Sequence, residues 1–180
     1  VSQGLVIAII VLVAVLVVAG LVAAGVLLWR RTVRRYIATL IGKRAGVGAA
    51  LKTVEQLVAS LAQASDEELV DFAVDASSEE RKMMEEVAEQ MAIVADELAT
   101  MPLPKHLWDA ANALADAATA LSRQTGALSG KEGIEALDAL AGVDLVKVRS
   151  HFDAGVAYLV EQSERYDVDA TAVYGGGLYI

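Results

Sequence analysis

The sequence predicts an all-α protein, with a single N-terminal transmembrane helix followed by an antiparallel helical bundle. The first observation behind this is an uncharged apolar run from Leu5 to Trp29. The second is that apolar residues step by threes and fours through most of the remaining chain. The third is that helix-capping residues stand where those steps break. A hydrophobic share of 56% over 180 residues is above the usual range for a soluble chain, and only two prolines oppose helix formation.

The run at 5–29 is 25 residues long, about 37 Å as a helix, and the hydrocarbon core of a bilayer needs only about 30 Å. Inside lipid the backbone must satisfy its own hydrogen bonds, so the run is expected to be helical despite its many valines. Trp29 ends it, where an interfacial aromatic belongs. No basic residue precedes the run, which favours a retained anchor over a cleaved signal peptide. Ala19 and Ala23, and Gly20 and Ala24, are small residues four apart and are candidates for helix pairing in the membrane, a route to a homo-oligomer.

Charge gives the anchor a direction. Seven basic residues and no acidic one lie between Arg30 and Lys52, and none lies in residues 1–4. The positive-inside rule then predicts a cell-membrane protein with residues 1–4 extracytoplasmic and the bundle cytoplasmic. Residues 30–48 are predicted to form a basic juxtamembrane helix and a glycine elbow. Val33, Ile37, Leu40 and Ile41 share one face of it, a pattern suited to the headgroup layer. Arg30, Arg31, Arg34, Arg35, Lys43 and Arg44 are the candidate contacts to anionic lipid headgroups, each contributing on the order of 1 kcal/mol near such a surface. Gly42, Gly46 and Gly48 are expected to break the helix.

Residues 49–166 are predicted to form an acidic bundle, with helices near 47–64, 66–76, 78–101, 104–127, 131–141 and 144–166. The seams are narrow, as in Met84, Val87, Met91, Val94, Leu98 and Met101, and suit packing at shallow angles. Ser65 with Glu68, Ser77 with Glu80 and Ser129 with Glu132 have the spacing of capping boxes, and Asp144 suits the cap of the last helix. Met101-Pro102-Leu103-Pro104 turns 78–101 and 104–127 into a hairpin, because Pro104 can open a helix but cannot continue one. Residues 167–180 are expected to be a flexible tail. Tyr174, Leu178, Tyr179 and Ile180 beside three glycines are its candidate docking anchors.

Chemistry is sparse in this chain. It has no cysteine, and neither His106 nor His151 has a Glu three residues earlier, so the helical di-iron pattern is missing. His106 is expected to face solvent at a helix start, and His151 to be a partly buried structural residue. Glu79, Glu80, Glu85, Glu86 and Glu89 read as a solvated face, since no calcium-loop spacing surrounds them. Phosphate-binding and nucleophile-elbow motifs are absent. No catalytic residue, cofactor or metal site is expected. Beyond Lys52, eight basic residues stand against 24 acidic ones, a net charge of −16 that repels nucleic acid and attracts basic protein partners. The expected function is a non-enzymatic, membrane-anchored interaction or scaffold module, an accessory subunit of a membrane complex. The alternative is a ligand sensor or enzyme with a pocket between helices.

Overall fold

The computed structural model describes residues 3–169. The chain forms α1 (Gln3–Leu61), α2 (Asp66–Val74), α3 (Glu79–Thr100), a 3-10 turn (Lys105–Leu107), α4 (Trp108–Gly126), α5 (Ile134–Ala141) and α6 (Leu145–Arg165). These elements match the predicted bundle, and the capping chemistry explains several of their ends. The Ser65 hydroxyl accepts from the Glu68 N–H while the Glu68 carboxylate accepts from the Ser65 N–H, a complete capping box. Asp144 accepts from the Lys147 N–H at 3.2 Å and opens α6. Two predicted boxes are not formed. Ser78 rather than Ser77 caps α3, because Ser77 is held by the Asp75 carboxylate. Gly133 precedes α5 without a side-chain cap, and Ser129 turns towards Glu85 instead.

The largest departure from expectation is in α1, which is unbroken from the apolar run to Leu61. The glycines at 42, 46 and 48 form no elbow. Each costs about 1 kcal/mol relative to alanine in a helix interior, but the residues around them are pinned by tertiary packing. Val33, Ile37, Leu40, Val47, Ala50, Leu51 and Val54 are all buried, the first four completely. Burying an aliphatic side chain of this size contributes roughly 1.5–3 kcal/mol, so the packed face outweighs the glycine penalty. That same face was expected in the headgroup layer, and it lies instead in the protein core.

Four helices make that core. The second half of α1 runs away from the apolar span, α3 returns, α4 runs out again and α6 returns. Contacts fix the directions. In the α3–α4 hairpin the Ser122 hydroxyl donates to the Ala88 carbonyl at 2.8 Å, while the end of α3 meets the start of α4. Between α1 and α6, Arg149 pairs with Glu55, Phe152 lies against Gly48, and Arg34 reaches Tyr166. The interior is filled by Leu107, Leu114, Ala117, Ala118, Leu121, Val148 and Leu159, all 0% exposed.

The short helices α2 and α5 close the end remote from the apolar span, where the Gly133 N–H donates to the Ala73 carbonyl at 2.8 Å. Buried Arg81 ties this end together. It donates to the Leu128 and Lys131 carbonyls at 2.9 and 2.6 Å, and its guanidinium lies 5.5 Å from the centre of the Phe72 ring.

A continuous α1 carries a direct prediction. Gly46 is exposed, and a Cβ there would meet nothing within 4 Å. Gly46→Ala should therefore stabilise the protein by about 0.5–1 kcal/mol, through helix propensity alone. Thermal denaturation in mild detergent measures this, and a lowered midpoint would indicate a hinge at that position.

Candidate functional site

One end of the bundle meets α1 where its apolar run finishes. Trp29, the 3-10 turn and the end of α6 converge there. The His106 ring stacks on Tyr166 with centroids 5.3 Å apart, and meets Trp29 edge-on at 6.4 Å. Arg34 fastens the same corner, donating from Nε to the Tyr166 carbonyl at 2.8 Å and from Nη2 to Asp167 at 3.1 Å. The Trp108 indole N–H donates to the Leu103 carbonyl at 2.9 Å, which rigidifies the Pro-rich turn beside it.

His106 is the residue whose expected setting changes most. It is half-buried between two aromatic rings instead of solvent-facing, and its Nε2 is buried without a hydrogen-bond partner. Burial holds its pKa below the ordinary imidazole value, and the charge of Arg165 adds to the effect. Sequence reasoning missed this because nothing local distinguishes a histidine at a helix start from one covered by a helix end sixty residues later. His151 is half-buried, as expected of a structural residue.

The setting of His106 makes stability depend on pH. Its folded pKa lies below its unfolded one, so the unfolded chain takes up the proton first as pH falls. This contribution to stability is complete above about pH 6.5, the ordinary imidazole value, and is lost as pH falls from there towards the folded value. The melting temperature of wild-type protein should drop through this window. His106→Phe keeps a ring between Trp29 and Tyr166 and should remove that component, whereas an unchanged slope would place the titration elsewhere.

The six predicted headgroup residues divide into two groups. Arg30, Arg31 and Arg35 are exposed, and Arg34 is engaged with the end of α6. Lys43 pairs with Glu97 of α3, and Arg44 lies over the Phe152 ring at 5.4 Å from its centre. Burial lowers the Arg44 pKa, and its Nε has no partner. Both lie 14–15 residues past Trp29, about 21–22 Å along the axis. A headgroup layer is only about 5–8 Å deep on each side, so these two belong to the bundle. Exposed pairs such as Lys43–Glu97 contribute at most about 1 kcal/mol.

Ala19, Gly20, Ala23 and Ala24 are exposed on α1, as are all residues from Val11 to Thr32, and a Cβ at Gly20 would meet nothing within 4 Å. Tyr174, Leu178, Tyr179 and Ile180 lie outside the described residues. Among the described residues, no group of three or more His, Asp or Glu side chains comes together as metal ligands.

Charge is segregated along the bundle. The end formed by α2, the start of α3 and α5 holds nine acidic residues from Asp66 to Glu86 against Arg81 and Lys82. The opposite end carries Arg30, Arg31, Arg34, Arg35, Lys105 and Arg165 near Asp109, Glu164 and Asp167. No protein-family model matches the chain, and neither a curated protein nor a solved structure matches it.

Proposed function

We propose that α1 crosses a membrane over residues 5–29 and holds the bundle on the cytoplasmic side as a non-enzymatic interaction module. The observation that carries this is the unbroken α1. Its apolar part, described from Val11, is wholly unburied, and its continuation is part of the bundle core. An apolar surface of that size without a protein cover is characteristic of a membrane or partner contact. The four arginines at 30–35 flank it and set its orientation.

The rigid connection gives the module a geometry. Leu61 lies 32 residues beyond Trp29, about 48 Å along the helix axis. The acidic end is thus held away from the bilayer and presented to a basic partner, with tethering raising its local concentration near membrane assemblies. An accessory subunit of a membrane complex fits this arrangement.

Affinity purification of the full chain from native membranes in mild detergent tests it. Wild type should retain a partner that is released by salt. A variant with Asp66→Asn, Glu67→Gln and Asp71→Asn, all exposed, should lose that partner while keeping the Glu68 capping box. Recovery of the wild-type protein alone at every salt concentration would overturn the proposal.

A further inference from the structure

If residues 5–29 cross the bilayer, as proposed above, a second part of the chain must sit at the lipid surface. We infer that the tip of the α3–α4 hairpin, centred on Lys105 and Trp108, inserts into the headgroup region of an anionic bilayer. The argument begins with position. His106 touches the ring of Trp29, the last residue of the apolar run. The hairpin tip is therefore level with the membrane–water boundary rather than displaced into solvent. The unbroken helix and the Arg34 contacts to Tyr166 and Asp167 leave no hinge that would lift it away.

The chemistry of the tip suits that level. Trp108 is 49% exposed although its N–H is already satisfied by Leu103, so its free surface is aromatic and apolar. Tryptophan is enriched at this depth because a flat ring with one satisfied polar atom fits between headgroups and acyl chains. Lys105 is exposed beside it, and Arg30, Arg31 and Arg35 are exposed on the adjoining turns of α1. Nearby Asp109, Glu164 and Asp169 oppose this charge, and Asp167 is matched by Arg34. The acidic residues of α2 and early α3 lie at the remote end, so an anionic surface attracts one end of the bundle and repels the other. A partner protein is less well supported, because the surface that α1 brings to the tip is the bilayer itself.

Tryptophan quenching separates these contributions. The full chain is placed in nanodiscs of phosphatidylcholine and phosphatidylglycerol in about equal parts, with or without bromine near the top of the acyl chains. Trp29→Phe leaves Trp108 as the sole tryptophan, and Trp108→Phe leaves Trp29. Brominated lipid should reduce Trp108 emission about twofold or more, as expected for a ring at the interface. Quenching of Trp29 with none of Trp108 would overturn this inference and leave the membrane anchor standing. Quenching of neither would overturn both. Blue-shifted but unquenched Trp108 emission would show a protein cover and equally contradict the inference.

Discussion

Ile37→Asp should collapse the packing between α1 and the bundle, whereas Ala38→Asp, one residue along the same helix, should be nearly silent. Ile37 is 0% exposed and belongs to the core with Val33 and Leu40, while Ala38 is exposed. A carboxylate at 37 has no cation to pair with inside that core. It must either stay charged at high desolvation cost or take up a proton. Uncompensated buried charges cost on the order of 3–5 kcal/mol, and domains of this kind are stable by only about 5–15 kcal/mol. The expected result is a cooperative loss of amide protection in α6 and the second half of α1, with far-ultraviolet helicity largely kept. Were the Val33–Ile37–Leu40 face immersed among lipid headgroups, the two aspartates would behave alike. Hydrogen exchange on the two variants distinguishes these outcomes.

Gly155→Val should separate α4 from α6. A Cβ at Gly155 would lie 2.9 Å from both Cγ and Cδ2 of Leu114, and 3.2 Å from the Leu114 backbone nitrogen. The side-chain atoms can shift, but the nitrogen is fixed in α4, so the two helices must move apart. Alanine in place of a helical glycine gains about 1 kcal/mol of propensity, against an overpacking cost of about 1–3 kcal/mol. Gly155→Ala should therefore be mildly destabilising. Valine adds two more carbons to the same crossing and should lower stability by roughly 3 kcal/mol or more. Leu114→Ala alone should cost roughly 2–5 kcal/mol, since Leu114 is 0% exposed, and combined with Gly155→Ala it should cost less than the sum of the two, because the truncation clears the side-chain clash. Denaturant midpoints in mild detergent measure the series, and an unchanged midpoint for Gly155→Val would show that the helices do not cross there.

These two sites also show what was legible in the sequence. The hairpin follows from Pro102 and Pro104, and the starts of α2 and α6 follow from Ser65–Glu68 and Asp144, because caps and prolines act within one turn. The unbroken α1 was less obvious, since three glycines within seven residues locally favour a break. The contrary signal is one of phase. Val33, Ile37, Leu40, Arg44, Val47, Leu51, Val54, Val58 and Leu61 keep alternating steps of four and three straight through the glycines. A hinge would have no reason to preserve that register.

Arg44 occupies a seam position in this series, which accounts for its place over Phe152 instead of at a lipid surface. The same register puts Gly48 where a Cβ would come within 3.0 Å of the Phe152 ring. His106 and Arg81 had no comparable signal. Their settings depend on Tyr166, Trp29, Phe72 and the Leu128–Lys131 turn, all remote in sequence from them or silent about orientation.

Rigidity links the fold to the proposed function, because a flexible elbow would let the acidic end fold back towards the bilayer. The chain has no cysteine, so paired spin labels can be introduced at Arg31→Cys and Gln56→Cys, both exposed and on opposite sides of the glycines. They are 25 residues apart, about 37 Å along a continuous helix. Electron–electron distance measurement on the full chain in nanodiscs should give one narrow distribution near that length. A broad distribution centred well below it would mean that α1 bends at the glycines, and would contradict the rigid mounting of the bundle on the apolar N-terminal part of α1.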